Sequence, residues 1–399
     1  MTVTVLAGGR LLDPGTSLDG PGDVVVTDGR IAAVGPLDER RAPAECRAPD
    51  ARVIDCSGAV VIPGLIDLHA HVYPGLGDFC VEPDLAGVDS GVPVVVDGGT
   101  SGVSTFGLAR RVIDDPAVRT RVLAWMDPCL LYLATRDFLC HRLELANDPR
   151  NLVLDQTAAA LEAHGDVIVG LKVRACWVDD PHVSPFVEGA KAVAGPKPIM
   201  IHLGRFPHTP TISAPDLLRT LRPGDVVTHA FRGASGLLDA AGVPTPEFRD
   251  ALERGVRLDV GHSGTDFRFA TARRLFDLGI RPDTVSTDLN VFNVDGPVRS
   301  LAETLSKIWA LGVDLDEIIA MATLAPAAVI GRASSLGALL PGRTAEVSVL
   351  RIDEGPVELS DGYETLTAER YLTPVGCLRG DAWYPATARN VVERPGRAA

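Results

Sequence analysis

Apolar runs of about five to seven residues recur through the middle of the chain, each closing on polar residues and followed by a helical stretch. They are VVIPGLIDLHAHV (60–72), VPVVVDGG (92–99), RVLAWMD (121–127), VIVGLKVRA (167–175), PIMIHLG (198–204), DVVTHAF (225–231), RLDVGHS (257–263) and TVSTDLN (284–290). With His69, Asp97, Asp127, Lys172, His202, His229, Val260 and Asp288 as markers, the spacings are 28, 30, 45, 30, 27, 31 and 28 residues. Units of this length suit βα repeats. Continuous apolar strands, covered on both faces, indicate a parallel sheet. Eight of them predict an α/β chain built on a (β/α)₈ TIM barrel over residues 59–334. The alternative is an open, doubly wound sheet.

The ends of the chain read differently. Val3–Ala7, Asp23–Thr27 and Ile31–Val34 have strand character, and Asp28-Gly29 is a hairpin signal. Similar β-rich texture returns from Ala345 onward. Residues 1–58 and 335–385 are therefore expected to form one small β-sandwich domain from both chain ends. Helices are expected at Thr157–His164, Thr271–Asp277, Val298–Leu311 and Glu317–Ile330, with Pro326 marking a kink or a new start. The stretch from Tyr73 to Gly91 is long and rich in Gly and Pro, which suggests a lid. Arg389–Ala399 reads as a frayed polar tail.

Composition narrows the function classes. The net charge of −14 repels phosphate backbones and argues against a nucleic-acid partner. No apolar stretch is long enough to span a membrane, and the first residues lack a signal-peptide pattern. Seven cysteines without regular spacing fit a reduced, cytoplasmic protein. Packing as small hydrophobes is the default for Cys80 and Cys176. Barrel exteriors often pair, so a homo-oligomer is in keeping with the pattern.

Candidate chemistry gathers where barrel active sites lie, at the C-terminal strand ends. His69 and His71, two apart on one strand, face the same side and make half of a metal site, or else a pair of core histidines. His202, His229 and Asp288 end later strands, and His262 ends the seventh. Lys172 is one of only four lysines in the chain and lies inside an apolar run. Burial there lowers the pKa of an amine and frees it to react. Three outcomes stand open: a carbamate formed with CO₂, a Schiff-base lysine, or a structural lysine paired with a buried carboxylate. Nearby imidazoles favour metal. Gly98-Gly99-Thr100-Ser101-Gly102 precedes a helix, so it reads either as an anion cradle or as a close strand-to-helix turn. Arg174 lies two residues beyond Lys172 and is a candidate clamp for a substrate carboxylate. Arg205 and Arg232 each follow a histidine by three, and His262 is a candidate hydrogen-bond partner of substrate.

Asp67–His71, Lys172, His202, His229 and Asp288 together resemble the amidohydrolase superfamily. HVYPGLGDF, VVVDGGTSGVSTF and DVGHSG resemble its amidohydrolase/deacetylase, dihydroorotase-like family. The resemblance implies two divalent metal ions, usually zinc. His69, His71 and Asp288 would hold the more buried ion, His202 and His229 the more exposed one, and carbamylated Lys172 would bridge them. It also implies a metal-bridging hydroxide as nucleophile, with Asp288 as general base and acid. The expected reaction is hydrolysis of an amide or ester bond in a small carboxylated substrate, such as an N-acyl amino acid or an acylated 2-hydroxy acid. Cyclic-amide or lactone hydrolysis is the alternative. A Schiff-base lyase and a non-catalytic binding barrel are more remote.

Overall fold

The computed structural model describes residues 1–36, 51–131, 133, 143–204 and 209–387. The tail expected at Arg389–Ala399 lies outside them. The chain opens with β1 (Val3–Asp13), β2 (Leu18–Thr27), β3 (Arg30–Gly35), β4 (Arg52–Asp55) and β5 (Ala59–Pro63). The barrel strands follow: β6 (Ile66–Ala70), β7 (Val94–Gly102), β8 (Arg121–Asp127), β9 (Ile168–Arg174), β10 (Ile199–His202), β11 (Val226–Thr228) and β12 (Arg257–Leu258). The chain returns through β13 (Glu346–Ser360), β14 (Thr365–Arg379) and β15 (Ala382–Pro385).

Strands β6 to β12 pair in chain order as a parallel sheet. The run at 284–289 occupies the eighth position and closes the ring, with parallel bridges Asp259↔Thr284 and Ala70↔Leu289. Backbone bonds reach it from both neighbours, among them Val260 N–H to Thr284 O at 3.1 Å and Asp288 N–H to His69 O at 2.6 Å, and its polar side chains add more. Thr284 and Ser286 donate to the Asp259 carboxylate at 2.7 and 2.6 Å, and Thr287 donates to Asp67 at 2.5 Å. Apolar side chains of the barrel strands and the surrounding helices form one continuous core.

Local chemistry sets the helix starts. Ser184, Ser213, Thr245 and Ser300 each accept, through the hydroxyl, the amide of the residue three further on. The expected helix at Glu317–Ile330 is two helices, Leu315–Met321 and Leu324–Val329, with Pro326 in the first turn of the second. A proline is tolerated there because that amide has no intrahelical partner.

Both chain ends build a separate eight-stranded sheet in the order β15-β14-β13-β5-β1-β2-β3, with β4 beside β1. Buried Ser348 ties it to the barrel: its hydroxyl accepts the Leu65 amide at 3.0 Å and donates to Gly91 O at 2.7 Å. The stretch from Tyr73 to Gly91 is a packed wall, not the lid its composition suggested. Tyr73, Phe79, Val81 and Val88 are buried, and the Asp84 carboxylate anchors the stretch to Arg119 and Thr120. No helix among the described residues is long and apolar enough to cross a membrane. Cys56, Cys80, Cys129, Cys176 and Cys377 are buried.

Candidate functional site

The residues that sequence reasoning placed at strand ends converge. His69 and His71 leave β6 on one side, with ring centroids 5.5 Å apart. The His229 ring lies 5.3 Å from His69 and 4.2 Å from His202. Lys172, on β9, brings Nζ within 2.9 Å of His69 Nε2. Asp288 Oδ1 lies 2.9 Å from His71 Nε2 and 3.3 Å from His69 Nε2, and Oδ2 lies 4.0 Å from His229 Nε2. His229 and Asp288 adopt left-handed φ values of 64° and 52°. Such conformations are costly in non-glycine residues and gather at functional sites.

Glycines make the room. A Cβ at Gly98 would sit 2.1 Å from the His69 ring, and one at Gly99 would sit 2.6 Å from Lys172 Cβ. The stretch from Gly98 to Gly102 is thus part of β7, a close-approach strand rather than an anion cradle at a helix start.

Hydrogen bonds behind the rings fix which nitrogen faces inward. Thr228 donates its hydroxyl proton to Asp259 at 2.7 Å, so it accepts from His69 Nδ1 at 3.2 Å. Thr100 likewise donates to Asp97 at 2.8 Å and accepts from His71 Nδ1 at 2.7 Å. His229 Nδ1 donates to Gly261 O at 2.6 Å. In each ring the Nε2 lone pair is left pointing at the centre, the arrangement that outer partners impose on metal-binding histidines.

The electrostatics agree. Burial pushes the pKa values of His69, His202 and His229 down, so the imidazoles are neutral donors. Burial alone would raise the Asp288 pKa; positive charge beside the carboxylate, whether on the rings of His69, His71 and His229 or on a cation held among them, draws it below the usual range. Burial also brings the Lys172 ammonium down to about 8. The donor set therefore fits a cation. With their protons committed elsewhere, His71 Nε2 and Asp288 Oδ1 are two acceptors 2.9 Å apart, and His229 Nε2 is buried without a hydrogen-bond partner.

A cavity of about 310 Å³ opens over this centre, lined by Phe79, Arg174, Asp266, Asn290 and Phe292 among others. Arg174 sits where a substrate clamp was expected; burial lowers its pKa to about 10. Arg205 lies outside the described residues. The other substrate candidates have partners within the protein. Arg232 donates to Leu203 O at 2.6 Å and pairs with Asp266 at 3.2 Å. Thr100 serves His71, and Ser101 donates to Gly102 O at 3.0 Å, both fully buried. His262 accepts the Gly264 amide at Nδ1 and meets Lys307 Nζ at 3.2 Å through Nε2, also fully buried. Sequence reasoning missed Thr228, Asp259 and Asp266. A carboxylate shortly after a histidine-ended strand was the available signal for Asp266. A larger cleft of about 720 Å³ lies at the opposite strand ends, lined by Lys197, Arg222 and Arg332, and holds no histidine.

No family model matches the chain. A deacetylase of Agrobacterium fabrum is 33% identical over 341 residues, covering 84% of this chain and 79% of the relative. A deacetylase of Brucella anthropi is 31% identical over 381 residues, covering 89% and 90%. Among solved structures, an adenine deaminase superposes with a TM-score of 0.84 at 25% identity, covering 96% of this chain and 100% of that one. A dihydroorotase gives 0.81 at 28% identity, covering 97% and 100%. Sequence, fold and a histidine-carboxylate centre at the barrel rim place the chain in the amidohydrolase superfamily of metal-dependent hydrolases.

Proposed function

We propose that the chain is a cytoplasmic, binuclear zinc hydrolase that removes an acyl group from a small carboxylated substrate, such as an N-acyl amino acid or an acylated 2-hydroxy acid. His69, His71 and Asp288 hold one ion, and His202 and His229 hold the other. The unprotonated fraction of Lys172 would form a carbamate with CO₂, making an N–C bond and releasing a proton, and the resulting anion would serve as a ligand of the ions. The mixture of imidazole and carboxylate donors suits zinc. Divalent ions held there lower the pKa of water toward 7 and polarise the scissile carbonyl. Asp288 stays ionised, takes the proton of the attacking water and hands it to the leaving nitrogen or oxygen. Arg174 orients the substrate carboxylate as a two-pronged donor. The observation that carries the reading is the acceptor-on-acceptor contact of His71 Nε2 with Asp288 Oδ1 at 2.9 Å, which asks for a cation.

The dihydroorotase neighbour favours a second reading, ring opening of a cyclic amide with the same groups. A panel of N-acyl amino acids of both hands, acylated hydroxy acids, hydantoins and lactones separates the two. Turnover of the open-chain acyl substrates, lost on chelation and restored by zinc, is expected. Activity confined to cyclic amides or lactones would contradict the deacylase reading. Borohydride trapping of a substrate on Lys172 would replace both with Schiff-base chemistry.

A further inference from the structure

Two groups of three donors stand out among the described residues. One is His69, His71 and Asp288; the other is His202, His229 and Asp266. Within each group the donor atoms lie within 4.8 Å of one another. Asp266 lies outside the ligand set that the sequence resemblance implies, and it arrives from the turn after the seventh strand run. Its position is built. Its amide bonds to Ser263 Oγ at 3.1 Å, and its Oδ2 accepts from Ser263 Oγ at 2.8 Å and Thr265 Oγ1 at 3.3 Å. Oδ1 faces Arg232 at 3.2 Å. The neighbouring His229 Nε2 is fully buried and has no hydrogen-bond partner.

We propose that Asp266 is a carboxylate ligand of the second metal ion, so that each ion has its own His-His-Asp set. The proposal rests on the binuclear reading above. The chemistry favours it. Two neutral imidazoles and a shared bridge leave a divalent ion short of negative charge, and a carboxylate supplies it. Tetrahedral donors at ~2.0–2.1 Å from zinc lie about 3.4 Å apart. A group already within 4.8 Å closes on an ion with a modest shift of side chains. Arg232, held independently by Leu203 O at 2.6 Å, faces the Asp266 carboxylate at 3.2 Å.

Chelator competition on the holoenzyme, with cobalt substituted for the native metal, tests this. Asp266→Asn is expected to keep one ion as tightly as the wild type and to hold the other at least about tenfold more weakly. Asp266→Cys is expected to add a thiolate-to-cobalt charge-transfer band. Arg232→Met is expected to retain both ions. Asp266→Asn holding two ions at wild-type affinity, an Asp266→Cys spectrum without the band, or Arg232→Met matching the loss in Asp266→Asn would each overturn the proposal. A wild-type protein that binds fewer than two ions would instead strike the binuclear reading itself.

Discussion

Asp288 is buried, and its carboxylate faces three imidazoles, with Oδ1 2.9 Å from His71 Nε2 and 3.3 Å from His69 Nε2 and Oδ2 4.0 Å from His229 Nε2. In the proposed reaction this carboxylate is the base through which the proton passes. Asp288→Asn keeps the shape but removes the base. Its kcat is expected to fall at least about a hundredfold while much of the metal is retained, as read by steady-state kinetics beside metal analysis. Near-normal kcat would place the base elsewhere. At this scale the sequence was partly transparent. Scarce residue types at strand ends exposed His69, His71, Lys172, His202, His229 and Asp288. Thr228 and Thr100 stayed hidden, because a threonine in a strand looks like ordinary β-former until its hydroxyl is seen between an imidazole and a buried aspartate.

Strand β7 shows how an element shapes the site through its backbone. Its glycines lie where neighbouring side chains press against the backbone. Gly98→Ala would set a Cβ against the His69 ring at 2.1 Å, with the ring walled in behind by Thr228. The ring must move, and overpacking of this kind costs about 1–3 kcal/mol. The variant is expected to melt earlier and to lose affinity for the ion at His69 and His71, as measured by thermal unfolding and chelator competition. Unchanged values in both would mean that β7 is less tightly packed than described. Element order and the eight barrel runs were legible because their spacing is regular. The lid was misread because Gly and Pro content does not reveal anchors such as Asp84, whose partners are more than thirty residues away.

For the whole molecule, the seam between the terminal sheet and the barrel carries a buried charge. Glu346 is 8% exposed; burial raises its pKa from 4.5 to about 7, and Arg121 stands 3.8 Å away. The folded state thus holds the proton more tightly than the unfolded chain. This contribution to stability is full below about pH 4.5 and is lost as pH rises through 7. The loss is on the order of 1–3 kcal/mol. Glu346→Gln is expected to flatten that part of the stability profile and to unfold at higher denaturant than the wild type at pH 8. An unaltered profile would show that Arg121 already compensates the ionised carboxylate.

The central claim is that two divalent ions sit side by side at the rim of the barrel. Anomalous diffraction from crystals of the zinc-loaded enzyme reads it directly. The account predicts two peaks about 3.5–4 Å apart, one among His69, His71 and Asp288 and one beside His202 and His229, with Lys172 between them. A single peak, or none at these residues, would contradict it.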